Sequence, residues 1–211
     1  MSALQQPYLT PEEHHALEEV SQVKHEYWNG RRWPLGQPYG ATPEAMSGGS
    51  HAHARIAANG LGSLYNSLRG KPCTVIGSDE CVQIEETSLE TYPDLAAFCP
   101  EARFIGTKGQ RLLDPRVIIE VLSPSTAEYD KGDKFEHYKL IPALTDYLLV
   151  SQDRIWVEHY TRQAEGWLRR DYTLRSEVIA LPSIEVVLPL DDLYEGLILP
   201  SGLLAQGRSI S

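Results

Sequence analysis

Tyr92-Pro93-Asp94-Leu95-Ala96-Ala97-Phe98, Arg116-Val117-Ile118-Ile119-Glu120-Val121-Leu122-Ser123 and Tyr129-Asp130-Lys131-Gly132-Asp133-Lys134, closing at Tyr138, are the segments on which the reading of this chain turns. The first two are apolar runs, rich in β-branched or aromatic residues and bounded by turn formers, as expected of short buried strands. Each carries one carboxylate among apolar neighbours, Asp94 and Glu120. A buried carboxylate without a partner costs several kcal/mol. Two such acids on strands, followed by lysines at a helix start, imply a shared charge partner, and a divalent metal is the simplest.

Asp94 and Glu120 are separated by a loop from Pro100 to Pro115. If their strands pair, the two carboxylates stand side by side. Two oxygen donors, a backbone carbonyl and waters suit Mg²⁺ (or Mn²⁺), which rarely takes an all-protein cage. Such a metal lowers the pKa of a bound water and stabilises charge on a phosphoryl oxygen. A nearby lysine orients the water or neutralises the transition state. Lys134 is the first choice, one turn into a helix that Asp130 is expected to cap, just beyond Ser123-Pro124-Ser125-Thr126. Lys131 is the alternative, with Lys139 behind it. Tyr138, one turn after Lys134, is expected on the lysine stem or in the core.

The rest of the chain frames these segments. Its 211 residues, 42% hydrophobic and 23% charged, fit one soluble globular domain over 1–211, with a core from about 8 to 195. No run approaches the roughly 18 apolar residues of a membrane span, and the N-terminus lacks a secretory pattern. Cys73, Cys81 and Cys99 show no CxxC spacing, so three free thiols in a reducing cytoplasm are expected. The formal net charge of −10 argues against a broad basic face for long nucleic acid. Nucleic-acid chemistry must then be local, with metal offsetting the acids.

Thr10-Pro11-Glu12-Glu13 has the form of a capping box and opens a helix. Its adjacent His14 and His15 point about 100° apart and are expected at the surface. Asn29-Gly30 between aromatic-rich arms signals a hairpin. Glu26 on its first arm is either a solvated strand residue or an auxiliary acid. Pro34 to Gly49 reads as a loop, and Ser50 starts a second helix. His51 and His53 diverge by about 200° on a helix, so capping or phosphate contact by His53 fits better than a zinc pair. Gly60 and Gly62 inside that helix imply a close crossing or a subunit interface. Cys73–Ile76 and Glu80–Ile84 read as consecutive strands, followed after the central stretch by Asp146–Val150. Arg154–Tyr160, Trp167–Tyr172, Glu177–Ala180 and Ile184–Leu188 then read as a meander, with a short helix from Asp191.

Pro93-Asp94, the Glu120–Thr126 run, Asp130 with Lys134 and Tyr138, and Asp146-Tyr147 together resemble the restriction-endonuclease-like branch of the PD-(D/E)XK nuclease superfamily. Glu26 before Asn29-Gly30, and Gly48-Gly49 before His53, are similar to that branch's N-terminal half. The resemblance implies an α/β fold, a mixed central sheet flanked by helices, with a β-rich C-terminal meander. It implies a Mg²⁺-dependent endonuclease acting on DNA; the acidic net charge predicts weak, salt-sensitive DNA binding, which a homodimer is expected to strengthen. Asp94, Glu120 and the Val121 carbonyl would be its metal ligands and Lys134 its catalytic cation. The superfamily places its lysine two residues after the second acid, where this chain has Leu122; similar families supply it from the following helix. Leu122 and the acidic charge also suit an alternative, a non-catalytic nucleic-acid-binding or assembly module that keeps the fold.

Overall fold

The computed structural model describes residues 8–37, 50–106 and 111–200. In chain order these form α1 (Pro11–Val20), β1 (His25–Trp28), β2 (Arg31–Pro34), α2 (His51–Leu68), β3 (Thr74–Gly77), β4 (Cys81–Ile84), β5 (Leu89–Thr91) and β6 (Leu95–Phe98). Next come β7 (Phe104–Ile105), β8 (Arg111–Leu112), β9 (Val117–Leu122), α3 (Ala127–Lys131), α4 (Asp133–Tyr138), β10 (Asp146–Ser151) and β11 (Val157–Gln163). The chain closes with β12 (Gly166–Tyr172), β13 (Val178–Leu181), a 3-10 turn at Pro182–Ile184, β14 (Val186–Pro189) and α5 (Leu190–Leu193). Gly48-Gly49 lies outside the described residues.

β9 sits inside one six-stranded sheet, ordered β12-β11-β10-β9-β6-β3. It pairs parallel with β10 and antiparallel with β6. Both faces of β9 are covered, which explains its unbroken apolar run. Val117, Ile119 and Val121 pack into a core with α2, α5 and β14. Ile118 packs into a second core with Phe135, Tyr138, Tyr147 and Leu149. Glu120 lies on that second face, because strand side chains alternate. The other six-stranded sheet, β2-β1-β5-β4-β8-β7, closes this second core through Trp33, Val82, Ile84, Leu89 and Leu112. The chain is therefore α/β with two large mixed sheets flanked by helices.

Local signals in the sequence account for several elements. Thr10 and Glu13 form the capping box of α1, and Asn29 (φ 48°) and Gly30 (φ 75°) make the turn between β1 and β2. Other expectations need correction. Cys73–Ile76 and Glu80–Ile84 are consecutive strands as expected, but β3 and β4 belong to different sheets. The loop from Pro100 to Pro115 contains β7 and β8. β13 and β14 form their own two-stranded sheet instead of extending the β10-β11-β12 meander. Cys73 and Cys99 are joined in a disulfide, leaving Cys81 buried and free. The register of β3 on β6, with Thr74 opposite Phe98, brings these cysteines together. His14 is buried and His15 half-buried, because Nε2 of each faces the buried Glu90 of β5, at 3.5 and 2.6 Å. Among the described residues no helix is long and apolar enough to cross a membrane.

The two glycines of α2 differ. A Cβ on Gly60 would meet Leu95 Cδ1 at 2.9 Å and Leu193 Cδ2 at 3.1 Å, so the helix crosses β6 and α5 at close range. A Cβ on Gly62 meets nothing within 4 Å. Alanine in a helix interior gains about 1 kcal/mol over glycine, whereas overpacking a core costs about 1–3 kcal/mol. Gly62→Ala should therefore raise the unfolding free energy by up to about 1 kcal/mol. Gly60→Ala should leave it unchanged or lower it, despite the same propensity gain. Urea denaturation of both variants checks the difference.

Candidate active site

The antiparallel register of β6 on β9 sets Leu95 opposite Ile119. One step further along, it sets Asp94 beside Glu120. Asp94 is not mid-strand, as expected, but immediately precedes β6. Its position is held from two sides: Oδ2 accepts the Val121 amide at 2.7 Å, and its own amide donates to Glu120 Oε2 at 3.3 Å. Each carboxylate is thus held by a backbone amide of the neighbouring strand segment.

Glu120 is 3% exposed. Its Oε1 receives Lys134 Nζ at 2.8 Å and the Tyr138 hydroxyl at 3.0 Å. Lys134 and Tyr138 lie on one face of α4, four residues apart, which is why a single short helix supplies both. Lys134 Nζ also faces Asp130 Oδ1 at 3.4 Å and Glu26 Oε1 at 3.7 Å. Asp130 is not a helix cap. It belongs to α3, is buried, and points its carboxylate at the lysine. The spacing from 130 to 134 was the available signal for this pair. Glu26, expected as solvated or auxiliary, is buried and held by the Trp33 indole at 2.9 Å and by the Thr91 hydroxyl.

His53 sits in the first turn of α2, where the Ser50 hydroxyl accepts its amide. Its Nε2 lies 3.3 Å from Asp94 Oδ2. His51 is exposed, so the H-x-H pair is not brought together. Lys131 is turned away, bonding Glu158 at 2.6 Å on the far side of the Ser123-Pro124 loop. Lys139 bonds Glu136 on the surface of α4.

Glu26, His53, Asp94, Glu120, Asp130 and Lys134 line a cleft of about 520 Å³. Glu26, Asp94, Glu120 and Asp130 give it four carboxylates against the single lysine Lys134 and His53. The hydroxyls of Ser123, Ser125 and Thr126 line it too, bonded among themselves at 2.9 and 3.0 Å.

So many acids in one partly closed space cannot all ionise freely. Burial pushes Glu120 up, Lys134 pulls against it, Asp130 and Asp94 add to the rise, and the carboxyl reaches about 8. Burial likewise raises Glu26 and Asp130, with Lys134 opposing in both. Burial alone would lower Lys134, but the carboxylates, Glu120 foremost, hold it well above its usual value, so it stays charged. The bond to Asp94 raises His53. The cleft therefore holds more carboxyl groups than Lys134 and His53 can keep ionised, and a further cation would favour their charged forms.

Among the described residues no three His, Cys, Asp or Glu side chains are arranged to enclose a metal ion. The donors that strand register sets side by side are Asp94 and Glu120, with the Val121 backbone next to them. That set fits a hard divalent cation, which takes a few protein oxygens and completes its shell with water.

In architecture the chain is similar to the crystal structure of "a putative nuclease belonging to DUF820" from Anabaena variabilis, with a TM-score of 0.64 over 86% of this chain and 95% of that one, at 17% identity. In sequence it is similar to two uncharacterised Synechocystis proteins. One, slr1290, is 37% identical over 193 residues, 90% of this chain and 94% of that protein. The other, sll1609, is 31% identical over 161 residues, 76% and 85% of the two chains. The family model described as "Putative restriction endonuclease" matches residues 11–191, and on that match the chain belongs to the Uma2 family.

Proposed function

We propose that this protein is a Mg²⁺-dependent (or Mn²⁺-dependent) endodeoxyribonuclease that hydrolyses DNA phosphodiester bonds by in-line attack of water. The observation that carries the reading is Glu120 bonded by Lys134 at 2.8 Å, with Asp94 set beside it by strand register in an open cleft. Asp94, Glu120 and the Val121 carbonyl would hold the metal, and the excess of carboxylate over cationic charge favours a divalent ion there. Bound in the cleft, the ion supplies activation of the attacking water and neutralisation of charge on the phosphoryl oxygens.

The chain's own groups have separate tasks in this reading. Lys134, kept charged by its acids, donates hydrogen bonds to the water or to the phosphoryl oxygens as charge develops. Glu26 and Asp130 fix the ammonium at the lip of Glu120. Tyr138 fixes the Glu120 carboxylate through Oε1. His53, bonded to Asp94, orients that carboxylate and stands where it can donate to a phosphate. With a net charge of −10, the protein binds DNA through this cleft and not through a general basic field, so binding is weak and salt-sensitive.

Leu122 at the superfamily's lysine position favours one other reading, a non-catalytic binding module. Calorimetric titration with Mn²⁺ separates the two: the nuclease takes up the ion at the cleft and Glu120→Gln weakens the uptake, whereas the binding module gives no heat.

Glu120→Gln should abolish metal-stimulated cleavage of plasmid DNA. Lys134→Met should reduce it by about 10²–10³-fold, the usual cost of removing one charge-stabilising donor. Lys131→Met should stay within about twofold of wild type, since that lysine faces Glu158. Retained cleavage in Glu120→Gln removes the assignment.

The raised Glu120 sets the pH behaviour. Its folded pKa of about 8 lies above the value in the unfolded chain. The folded state thus holds a proton that the unfolded state loses first. Its stabilising share is complete below the ordinary carboxylate range and disappears as pH rises through about 8. With a chelator present, the melting temperature of wild type should fall relative to that of Glu120→Gln as pH rises to about 9. Parallel melting curves across the range contradict the assignment. At limiting metal, cleavage should rise over the same interval as the carboxylate becomes free to bind.

A further inference from the structure

One buried side chain in the cleft has no part in the charge network. Gln37 is 2% exposed, and among the described residues neither its Oε1 nor its Nε2 has a hydrogen-bond partner. Buried polar groups are nearly always paired, and one left unpaired in a native structure calls for an explanation. Other buried polar atoms without partners occur among the described residues, on His14, Arg32 and Trp156, but of these residues only Gln37 lines the acidic cleft. The cleft's other buried amide, Gln152, has its Oε1 taken by the Ser50 hydroxyl.

The backbone at this point is held. The Gln37 amide bonds the Pro34 carbonyl at 3.2 Å, and Leu35 bonds the Lys24 carbonyl at 2.9 Å, so the turn after β2 is fixed to β1. Gly36 adopts φ 83°, which turns the chain and leads Gln37 to the cleft wall. Glu26 lies on β1 in the same hairpin, opposite Trp33. The turn is thus registered to the charged centre through two strands.

The chemistry of the amide narrows what can pair with both of its ends. A carboxamide offers two N–H donors and an oxygen acceptor side by side. A phosphodiester offers only acceptors, so it would satisfy Nε2 and leave Oε1 orphaned. Carboxylates and metal ions each satisfy one end only. The edge of a nucleobase presents a donor and an acceptor next to each other, and glutamine pairs with adenine in this way. The terminal torsion of glutamine is broad, so the amide can turn toward a ligand without backbone movement.

We propose that Gln37 is a specificity residue that reads the edge of a nucleobase next to the scissile phosphate. This rests on the nuclease reading above, but its failure is separable from that reading. The substrate supplies the partners that the described protein groups do not.

The test uses the full chain with Mn²⁺, a pool of randomised duplex oligonucleotides and sequencing of the cut ends. Wild type should show a base preference at one position near the cut. Gln37→Met, close in size but without polar atoms, should flatten that preference and lower kcat/KM on the preferred sequence about 10–100-fold. Cleavage should remain dependent on metal and Glu120. Its melting temperature should equal or exceed that of wild type, because an unpaired buried amide has been removed. A purely structural glutamine predicts the opposite, a lower melting temperature with an unchanged cut profile.

A flat wild-type profile, or one that Gln37→Met leaves intact, overturns the proposal while leaving the nuclease standing. A melting temperature that falls in the Met variant also overturns it. Absence of cleavage in wild type, together with no anisotropy change on a labelled duplex, defeats both readings.

Discussion

The ammonium of Lys134, with its side chain only 5% exposed, is the point on which the site and the second core both depend. Its nearest charges are Glu120, Asp130 and Glu26, drawn from three separate parts of the chain. Removing one partner of a buried pair costs about 3–5 kcal/mol, because it strands the other charge. Against a total stability of about 5–15 kcal/mol, the cluster cannot lose a member cheaply. Yet well-packed apolar side chains in its place would often serve stability as well or better. The cluster is thus poorly explained as a folding device. In the proposed reaction it is a set of oxygens kept close together, at an electrostatic cost, for a cation.

That requirement orders the surrounding structure. Tyr138 satisfies Glu120 while its ring fills the second core, and the Tyr147 hydroxyl bonds the Asp130 carbonyl at 2.9 Å from within the same core. Phe135 stacks on Tyr147 at 4.7 Å between ring centres. Aromatic residues with a polar tip suit this boundary, since their bodies pack and their hydroxyls meet the acids. The second sheet then closes over them, carrying Thr91 and Glu26 in against Lys134. Sequence distance is large but the assembly is local, because β1, β5, β6, β9 and α4 converge on one end of the packed sheets.

Much of this was legible in the sequence where a local rule decides the outcome. Glu120 inside Val-Ile-Ile-Glu-Val-Leu marked a buried acid needing a partner. Thr10 and Glu13 marked a helix start, and Asn29-Gly30 a turn. What was not legible depended on packing between distant segments. The burial of His14 required knowing that α1 docks on β5, and the bonding of Cys73 to Cys99 required the register of β3 on β6. Asp130 looked like a cap because a polar residue near a helix start usually is one. Its inward aim follows from the break between α3 and α4 at Gly132, which no local pattern announces. Gln37 escaped notice for the same reason: an uncharged amide after a Gly-containing turn carries no signal until its surroundings are known.

The most consequential of these packing effects concerns Leu122. Residues 120 and 122 share a strand face, so a lysine at 122 would reach Glu120 along the strand, with its position fixed by β9 alone. Here Leu122 is instead packed against the second core, and the cation arrives from α4. A lysine on the strand is as rigid as the sheet. A lysine on a six-residue helix depends on how the β9–α3–α4–β10 crossover seats itself. The anchors of that crossover are the Tyr147 hydroxyl on the Asp130 carbonyl and the Phe135 ring on Tyr147, both reaching from the sheet. Moving the cation off the strand therefore transfers the precision of the site from strand register to aromatic packing, and makes the second core part of the catalytic apparatus in the proposed reaction.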